Sequence, residues 1–226
     1  MRGVEERARQ LGGSVLQGGT LRFPYILWSL FLLICTAIGA VSFVYLDVPL
    51  AGRVYGTLGL SQTLATGFAS AILLGLEASV ALGLVSVRIL RGRLSPFHEV
   101  TVLACLTSIC AYAINDSTLK YVFGVPNPAA VLHGCEHAFH LLSGSPGSSF
   151  PSGHMVLAGA FAGVFMRIYR NSVWPLSALL LLAAALLILG DWHFVSDVIA
   201  GAFLGVSAGL LAGELWLAHS SRQVTW

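Results

Sequence analysis

Six long apolar segments separated by short polar stretches limit the folds that this chain can adopt. A helix that crosses a membrane needs roughly 20 mostly apolar residues. A soluble domain carries about 25% charged residues, whereas this chain carries 10%. The pattern predicts an all-α integral membrane protein, a bundle of six transmembrane helices. The expected spans cover 23–46, 64–87, 100–114, 152–165, 175–190 and 198–218.

The basic residues predict how this bundle lies in the membrane. Cytoplasmic loops carry an excess of Lys and Arg, and with six spans both termini lie on one side. That side receives all the basic residues except Arg53 and Lys120. We therefore expect both termini in the cytoplasm. The chain would then comprise a cytoplasmic leader over 1–22, a six-span domain over 23–218 and a cytoplasmic tail over 219–226.

Charge and glycine patterns indicate which partners to expect. A net charge of +2 with a single Lys argues against a nucleic-acid partner, so the lipid bilayer is the expected surrounding. Glycine recurs at every fourth residue from Gly201 to Gly213, and again at Gly159 and Gly163. Such stripes let helix backbones approach closely in lipid. We interpret them as packing within the bundle, with a homo-oligomer interface as the alternative.

Polar side chains gather at the outer ends of four apolar segments. One group contains Asn115, Asp116 and Lys120, a second is Pro-Ser-Gly-His at 151–154, and a third occupies 191–197. The distance along the chain from His154 to His193 corresponds to two membrane crossings and a turn. We therefore expect the three groups to converge on one extracytoplasmic surface, although polar groups at span ends also serve as interfacial anchors.

The residue types in these groups suit phosphoryl transfer. His193 and Asp197 are four residues apart and would share a helix face, where the carboxylate would fix the imidazole tautomer. Ser152 is a candidate N-cap, and the N–H groups of a helix start are a natural seat for phosphate. His154 could protonate a leaving oxygen, and Lys120 adds a cation. This set predicts a histidine nucleophile.

At these residues the sequence resembles the type-2 phosphatidic acid phosphatase superfamily, which also contains the haloperoxidases. The second motif of the family, Pro-Ser-Gly-His, is intact at 151–154. The end of its third motif, His-x3-Asp, matches His193 and Asp197, and Lys-x6-Arg-Pro of its first motif matches at Lys120 and Pro128. The six spans and the order of the motifs also agree, so the resemblance covers roughly residues 25–218.

The resemblance implies a role for each matched residue. It makes His154 the acid and base, His193 the nucleophile that becomes phosphohistidine, and Asp197 the group that orients it. It implies that Ser152 and Gly153 hold phosphate oxygens and that Lys120 neutralises them. Phosphatases of the family need no metal, so we expect no cofactor.

The sequence departs from the family at both of its motif arginines. Asn127 replaces the arginine of the first motif, and Leu186 and Leu187 occupy the Ser-Arg positions of the third. Bidentate arginine contacts are among the strongest to phosphate, so the pocket should be weaker or differently built, with Asn127 in the phosphate-binding set. Three interpretations stay open: a less charged substrate such as a phosphodiester, a head-group transferase similar to sphingomyelin synthases, or an inactive relative.

A histidine-rich stretch offers a rival class of enzyme. Asn127 as N-cap and Pro128 as the first helical residue could open a short helix. Such a helix would place His133, His137 and His140 on one face at a spacing compatible with zinc. This stretch therefore suggests an alternative to the phosphatase, a membrane metallohydrolase. In such an enzyme the Pro-Ser-Gly-His motif would have no role.

Together these observations predict a membrane lipid phosphatase. We expect it to hydrolyse a lipid phosphate or pyrophosphate through a phosphohistidine, with lipid head-group phosphotransfer as the alternative. The compact loops suggest a bacterial plasma membrane, and the placement of the motifs suggests an active site that faces the periplasm or exterior.

Overall fold

The structure, a computed structural model, describes residues 25–58 and 63–223, and these residues form helices, turns and loops without strands. The leader expected over 1–22 lies outside the described residues. The chain divides into two units, Met1–Leu32 and Leu33–Trp226, and the packing and the site described below belong to the second. The α-helices in chain order are α1 (Tyr25–Tyr45), α2 (Asp47–Leu58), α3 (Thr63–Arg91), α4 (Pro96–Ile114), α5 (Lys120–Phe123), α6 (Pro128–Leu132), α7 (Gly153–Ile168), α8 (Val173–Leu189) and α9 (Val195–Gln223).

In the part of the chain that the structure describes, the helices confirm the expected all-helical, membrane-type architecture, and five of the six expected spans are long enough to cross a membrane by length and composition. These stretches are Tyr25–Tyr45, Ala69–Arg91, Pro96–Leu132, Arg170–Leu189 and Val195–Ser220. The remaining expected span is α7, which has 16 residues. At 1.5 Å per residue it extends about 24 Å, less than the roughly 30 Å hydrocarbon core of a bilayer.

The shortness of α7 goes with its central place in the bundle. It packs against α4, α8 and α9, and Val156, Ala160 and Val164 on it are almost completely buried. Met155 on α7 also packs with Leu187 of α8 in an apolar cluster. The outer helices instead expose large apolar side chains, as helices that face lipid do.

The glycine stripe of α9 lies against α7. A Cβ added at Gly201 would come within 2.5 Å of the carbonyl oxygen of Ser152, and one at Gly163 would come within 2.6 Å of the carbonyl of Val206. Gly205 and Gly209 leave equally little space. The prediction that these glycines pack the bundle is confirmed. Because α7 occupies this face, an oligomer would have to use other surfaces, and the oligomeric state stays a prediction.

Helix α4 continues without a break into the segment that contains the first polar group. A π-helix at Asn115–Leu119 follows α4 directly and leads into α5, which ends at Gly124 with a left-handed φ of 62°. Single π-turns are often found at functional sites, because they change the direction in which side chains point. Here the π-turn carries Asn115 and Asp116, and Lys120 follows it.

Candidate active site

A cavity of about 470 Å³ lies where the three polar groups converge. Segments from α3, α4, the π-turn, the loop before α7 and the turn between α8 and α9 contribute to its wall. Of the predicted site residues, Lys120, Asn127, Gly153, His154 and His193 line this cavity. Ser152 and Asp197 are fully buried and contact the residues of the wall. The sequence therefore identified groups that meet in space although they are distant in the chain.

Two histidines and an aspartate form the centre of the site. Nδ1 of His154 lies 3.3 Å from Nε2 of His193, and Nδ1 of His193 lies 3.5 Å from Oδ2 of Asp197. The expected shared helix face is not the reason for this contact, because α9 begins at Val195 and His193 lies in the turn before it. The contact forms because helical side chains lean toward the N-terminus, which brings Asp197 back to the turn.

The Pro-Ser-Gly-His segment forms the start of α7. Ser152 is its N-cap, as predicted, and the hydroxyl accepts from the backbone N–H of Met155 at 3.5 Å. The amide of Asn115 donates to the carbonyl of Pro151 at 3.1 Å. The backbone N–H of Ser152 donates to the carbonyl of Asp197 at 3.1 Å. These bonds fix the second motif against both the π-turn and the third motif.

Gly153 is required by close packing at this helix start. A Cβ at this position would lie 2.9 Å from Cε2 of Tyr112, a distance that real Cβ contacts essentially never show. The glycine therefore lets the aromatic ring of α4 close one side of the cavity while His154, the next residue, projects into it.

Two neighbours of His154 were not predicted from the sequence. The hydroxyl of Ser70 lies 2.9 Å from Nε2 of His154, and the ring of Trp192 lies 5.9 Å from the imidazole. Ser70 belongs to no motif and lies 84 residues from its partner, so the local sequence gives no signal of its role. It fixes the orientation of the imidazole from the α3 side.

The cationic and amide groups of the cavity are already engaged. Nζ of Lys120 donates to Oδ1 of Asp116 at 2.7 Å and contacts the carbonyl of Pro146 at 3.4 Å. Asn127 is the N-cap of α6, as predicted, and accepts from the N–H of Ala130 at 2.9 Å. Its amide also donates to the carbonyl of Gly147 at 3.3 Å. Both side chains therefore hold the loop at residues 146–147, which lines the cavity.

A known family covers this region. The PAP2 superfamily matches residues 101–219, more than half of the chain. The chain belongs to the PAP2 superfamily. Members of this family generally hydrolyse phosphate esters, so the match indicates a phosphatase-type function on lipid phosphates. No curated protein and no solved structure matches the chain.

Apolar side chains occupy the two positions, Leu186 and Leu187, where the third motif of the family has Ser-Arg. Leu187 is 6% exposed and packs with Met155 and Val198 beneath the site, whereas Leu186 is 61% exposed on the outside of α8. Arg53, the one nearby arginine expected on this side, is not among the described residues that line the cavity. Lys120 is the only Lys or Arg in that lining.

The histidine-rich stretch does not form the helix that a zinc site would need. Helix α6 ends at Leu132, so the expectation that three histidines share one face is wrong. His133 lies beside Tyr55, His137 beside Asp47, and His140 at a neighbouring cavity. The described residues contain no group of three or more potential metal ligands. Because α6 has only five residues and ends before His133, it cannot bring the three histidine side chains onto one face.

A second buried histidine and aspartate lie next to the candidate site. The side chain of Asp47 is 0% exposed and that of His137 is 8% exposed. Burial raises the pKa of Asp47, and hydrogen bonds from Ser196 oppose this shift. Burial likewise lowers the pKa of His137, and the Asp47 carboxylate opposes that shift. The sequence indicated neither role, because an acid at the end of an apolar segment resembles an interfacial anchor.

Proposed function

We propose that this PAP2 protein is a membrane lipid phosphatase that hydrolyses a lipid phosphate or pyrophosphate through a phosphohistidine at His193. The observation that supports this most is the continuous contact from Asp197 to His193 to His154 at the wall of one cavity. A carboxylate on one ring nitrogen and an acid-base group at the other are what a histidine nucleophile requires.

In the first step, Nε2 of His193 attacks phosphorus and the bond from phosphorus to the lipid oxygen breaks. His154 gives its proton to that departing oxygen, and Asp197 stabilises the positive charge that develops on the His193 ring. The 3.3 Å contact between the two rings leaves no room for a phosphoryl group, so substrate binding has to separate them. Lys120 and the N–H groups at the start of α7 would hold the phosphate oxygens.

In the second step, water replaces the lipid. His154, now neutral, takes a proton from water as the water oxygen attacks phosphorus, and the bond from phosphorus to Nε2 of His193 breaks. Inorganic phosphate leaves, and His154 is again protonated for the next cycle. Ser70, 2.9 Å from Nε2 of His154, would keep the imidazole directed at the reacting atoms in both steps.

The proposed setting is a bacterial plasma membrane with six spans, both termini in the cytoplasm and the site at the periplasmic or exterior face. The distribution of basic residues supports this orientation. Helix α7 would complete the six spans, and its neighbours shield it from lipid. A site at the outer ends of the helices suits a substrate whose tail stays in the bilayer while its head group reaches His193.

The test is a substrate panel applied to purified protein in mixed micelles. Phosphatidic acid, a polyprenyl pyrophosphate, lysolipid phosphates and phosphodiester lipids are incubated separately, and both free phosphate and new lipid products are measured. We expect free phosphate from at least one phosphomonoester or pyrophosphate, and none from His193→Ala. Activity that persists in His193→Ala would contradict the phosphohistidine, and no product from any lipid would favour a non-enzymatic or inactive relative.

The charge of the cavity favours a second candidate, lipid head-group phosphotransfer. Lys120 is paired with Asp116, and Asp191 also lines the cavity. This balance suits a phosphodiester, which carries one negative charge, better than a dianionic phosphomonoester. In that case an alcohol rather than water would resolve the phosphohistidine. A new phospholipid formed from a phosphodiester lipid and a diacylglycerol, without free phosphate, would identify this reaction.

A further inference from the structure

The carboxylate of Asp47, the first residue of α2, accepts hydrogen bonds from the start of α9. It accepts the backbone N–H of Ser196 at 3.1 Å and the hydroxyl of Ser196 at 2.5 Å. The two residues are 149 positions apart, and Asp47 lies outside the region that matches the family. Both residues are buried, so water does not compete for these bonds.

Helix α9 lacks an N-cap side chain of its own. Val195 is its first residue, so Phe194 occupies the N-cap position, and a phenyl ring cannot accept a hydrogen bond. The N–H of Phe194 is satisfied by Oδ2 of Asp197 at 2.9 Å, which is one half of a capping box. The N–H of Ser196 would stay unpaired without Asp47, since the first N–H groups of a helix have no partner within it.

Asp47 thus supplies the missing cap from a distant part of the chain. The turn that leads into the capped helix carries His193, the proposed nucleophile. Asp197 follows Ser196 directly and lies 3.5 Å from the ring of His193. The carbonyl of Asp197 also accepts from Ser152, at the start of α7. A shift of Ser196 would therefore move both the nucleophile and the segment that presents His154.

His137 closes the other side of Asp47. Its Nε2 lies 3.6 Å from Oδ2 of Asp47. The ring stacks on Phe43 at 4.2 Å between centroids and contacts Phe194 at 4.5 Å. The aromatic rings on both sides keep this pair away from solvent, and Phe194 is the residue next to His193.

We propose that Asp47 is a positioning residue for the nucleophile: by capping α9 through Ser196, it fixes the turn that holds His193 against Asp197. This inference rests on the proposed function. Asp47 itself touches no reacting atom, and His137 protects its hydrogen bonds. Because misplacement of a catalytic group by about 1 Å can lower a rate by roughly 10²-fold, the cap matters for turnover as well as for folding.

The test compares three variants with a matched control. Asp47→Ala removes both hydrogen bonds, Asp47→Asn keeps one acceptor oxygen, and Ser196→Ala removes the hydroxyl bond alone. The control is Ser108→Ala, because Ser108 is also buried and its hydroxyl donates to the carbonyl of Leu157 at 2.8 Å without contacting the site. For each variant kcat, KM and the thermal midpoint are measured on the best lipid of the panel.

We expect kcat to fall about 10²-fold in Asp47→Ala and about tenfold in Ser196→Ala, the factor that corresponds to about 1.4 kcal/mol. KM should change less than kcat, because Lys120, which is held by Asp116 and does not contact the cap, would still bind the phosphate oxygens. Asp47→Asn should recover a large part of the loss. Ser108→Ala should lose thermal stability but keep wild-type kcat.

Two results would overturn the inference. One is wild-type kcat in a folded Asp47→Ala or, if that variant does not fold, in Ser196→Ala. The other is an equal loss of kcat in Ser108→Ala at the same loss of stability. The rate at which diethyl pyrocarbonate modifies His193, followed by peptide mass spectrometry, gives an activity-independent readout. It should change severalfold in Asp47→Ala and Ser196→Ala but not in the control, whereas failure of the proposed function would instead show as activity that His193→Ala retains.

Discussion

Asn127 is the residue at which this chain differs most informatively from its family. Its side chain caps α6 and holds the loop at Gly147, so it supplies structure at a place where the family motif supplies charge. We expect Asn127→Arg to lower KM for phosphatidic acid about tenfold, because a guanidinium can bind phosphate with two parallel hydrogen bonds. KM is measured in mixed micelles.

The control for this change is Asn127→Ala. It shares the loss of the cap, about 1 kcal/mol in the free energy of unfolding, without adding a cation. Equal KM values for the two variants would show that position 127 does not reach the phosphate.

His137 should make stability depend on pH. Its pKa is lowered in the folded protein, so its contribution to stability is fully present above about pH 6.5, the ordinary value for histidine. The contribution is lost as the pH falls toward the folded pKa, because the unfolded chain then binds more protons. Asp47, whose pKa is raised, acts in the opposite direction as the pH falls through its own folded pKa.

We expect thermal unfolding in detergent to show a lower midpoint at pH 5.5 than at pH 7.5 for the wild type. The difference should be smaller for His137→Gln, which keeps a polar side chain of similar length without a titrating ring. An identical pH dependence in the two proteins would contradict the buried, neutral state of His137.

The sequence pointed to the residues that the structure gathers at the cavity, but not to the residues that hold them in place. Ser152 as N-cap and Asn127 before Pro128 follow local rules, so both were predicted. Ser70 and Asp47 act on partners that are 84 and 149 residues away. Their environment is produced by tertiary packing, which no local pattern encodes.

At the scale of helices, the contact between α7 and α9 depends on glycine. We expect Gly209→Ala to lower the free energy of unfolding by about 1–3 kcal/mol, the usual range for overpacking, because the added methyl group would meet the backbone of Ala160 and Gly163. The measurement is thermal or denaturant unfolding in detergent micelles.

Gly83→Ala is the matched control, since nothing lies within 4 Å of a Cβ at that position of α3. Alanine is the better helix former by roughly 0.8–1.0 kcal/mol, so this variant should be neutral or slightly stabilised. Equal destabilisation of the two variants would mean that close packing of α7 and α9 is not what the stripe provides.

Two details of the helices differ from what the sequence patterns suggested. Hydropathy located the fourth expected span at α7, but this helix has only 16 residues, because a helix covered by its neighbours need not match the thickness of the bilayer. The histidine stretch after α6 has helix-compatible spacing, but α6 ends at Leu132 and Gly134 follows with a left-handed φ of 108°.

At the scale of the whole molecule, the orientation in the membrane can be tested through Cys135. This cysteine is exposed in the loop before α7, on the side expected to face outward. We expect a membrane-impermeant maleimide to label it in intact cells, with Cys135→Ser as the control. Labelling only after the membrane is permeabilised would reverse the proposed topology.

The most direct test of the central claim is to trap phosphate on His193. In His154→Asn the general acid and base is absent, so a substrate whose leaving group needs no proton, such as p-nitrophenyl phosphate, should phosphorylate His193 without subsequent hydrolysis. The mechanism predicts a burst of about one nitrophenolate per protein and an acid-labile phosphate that peptide mass spectrometry assigns to His193. A phosphate on another residue, or steady turnover in His193→Ala, would contradict it.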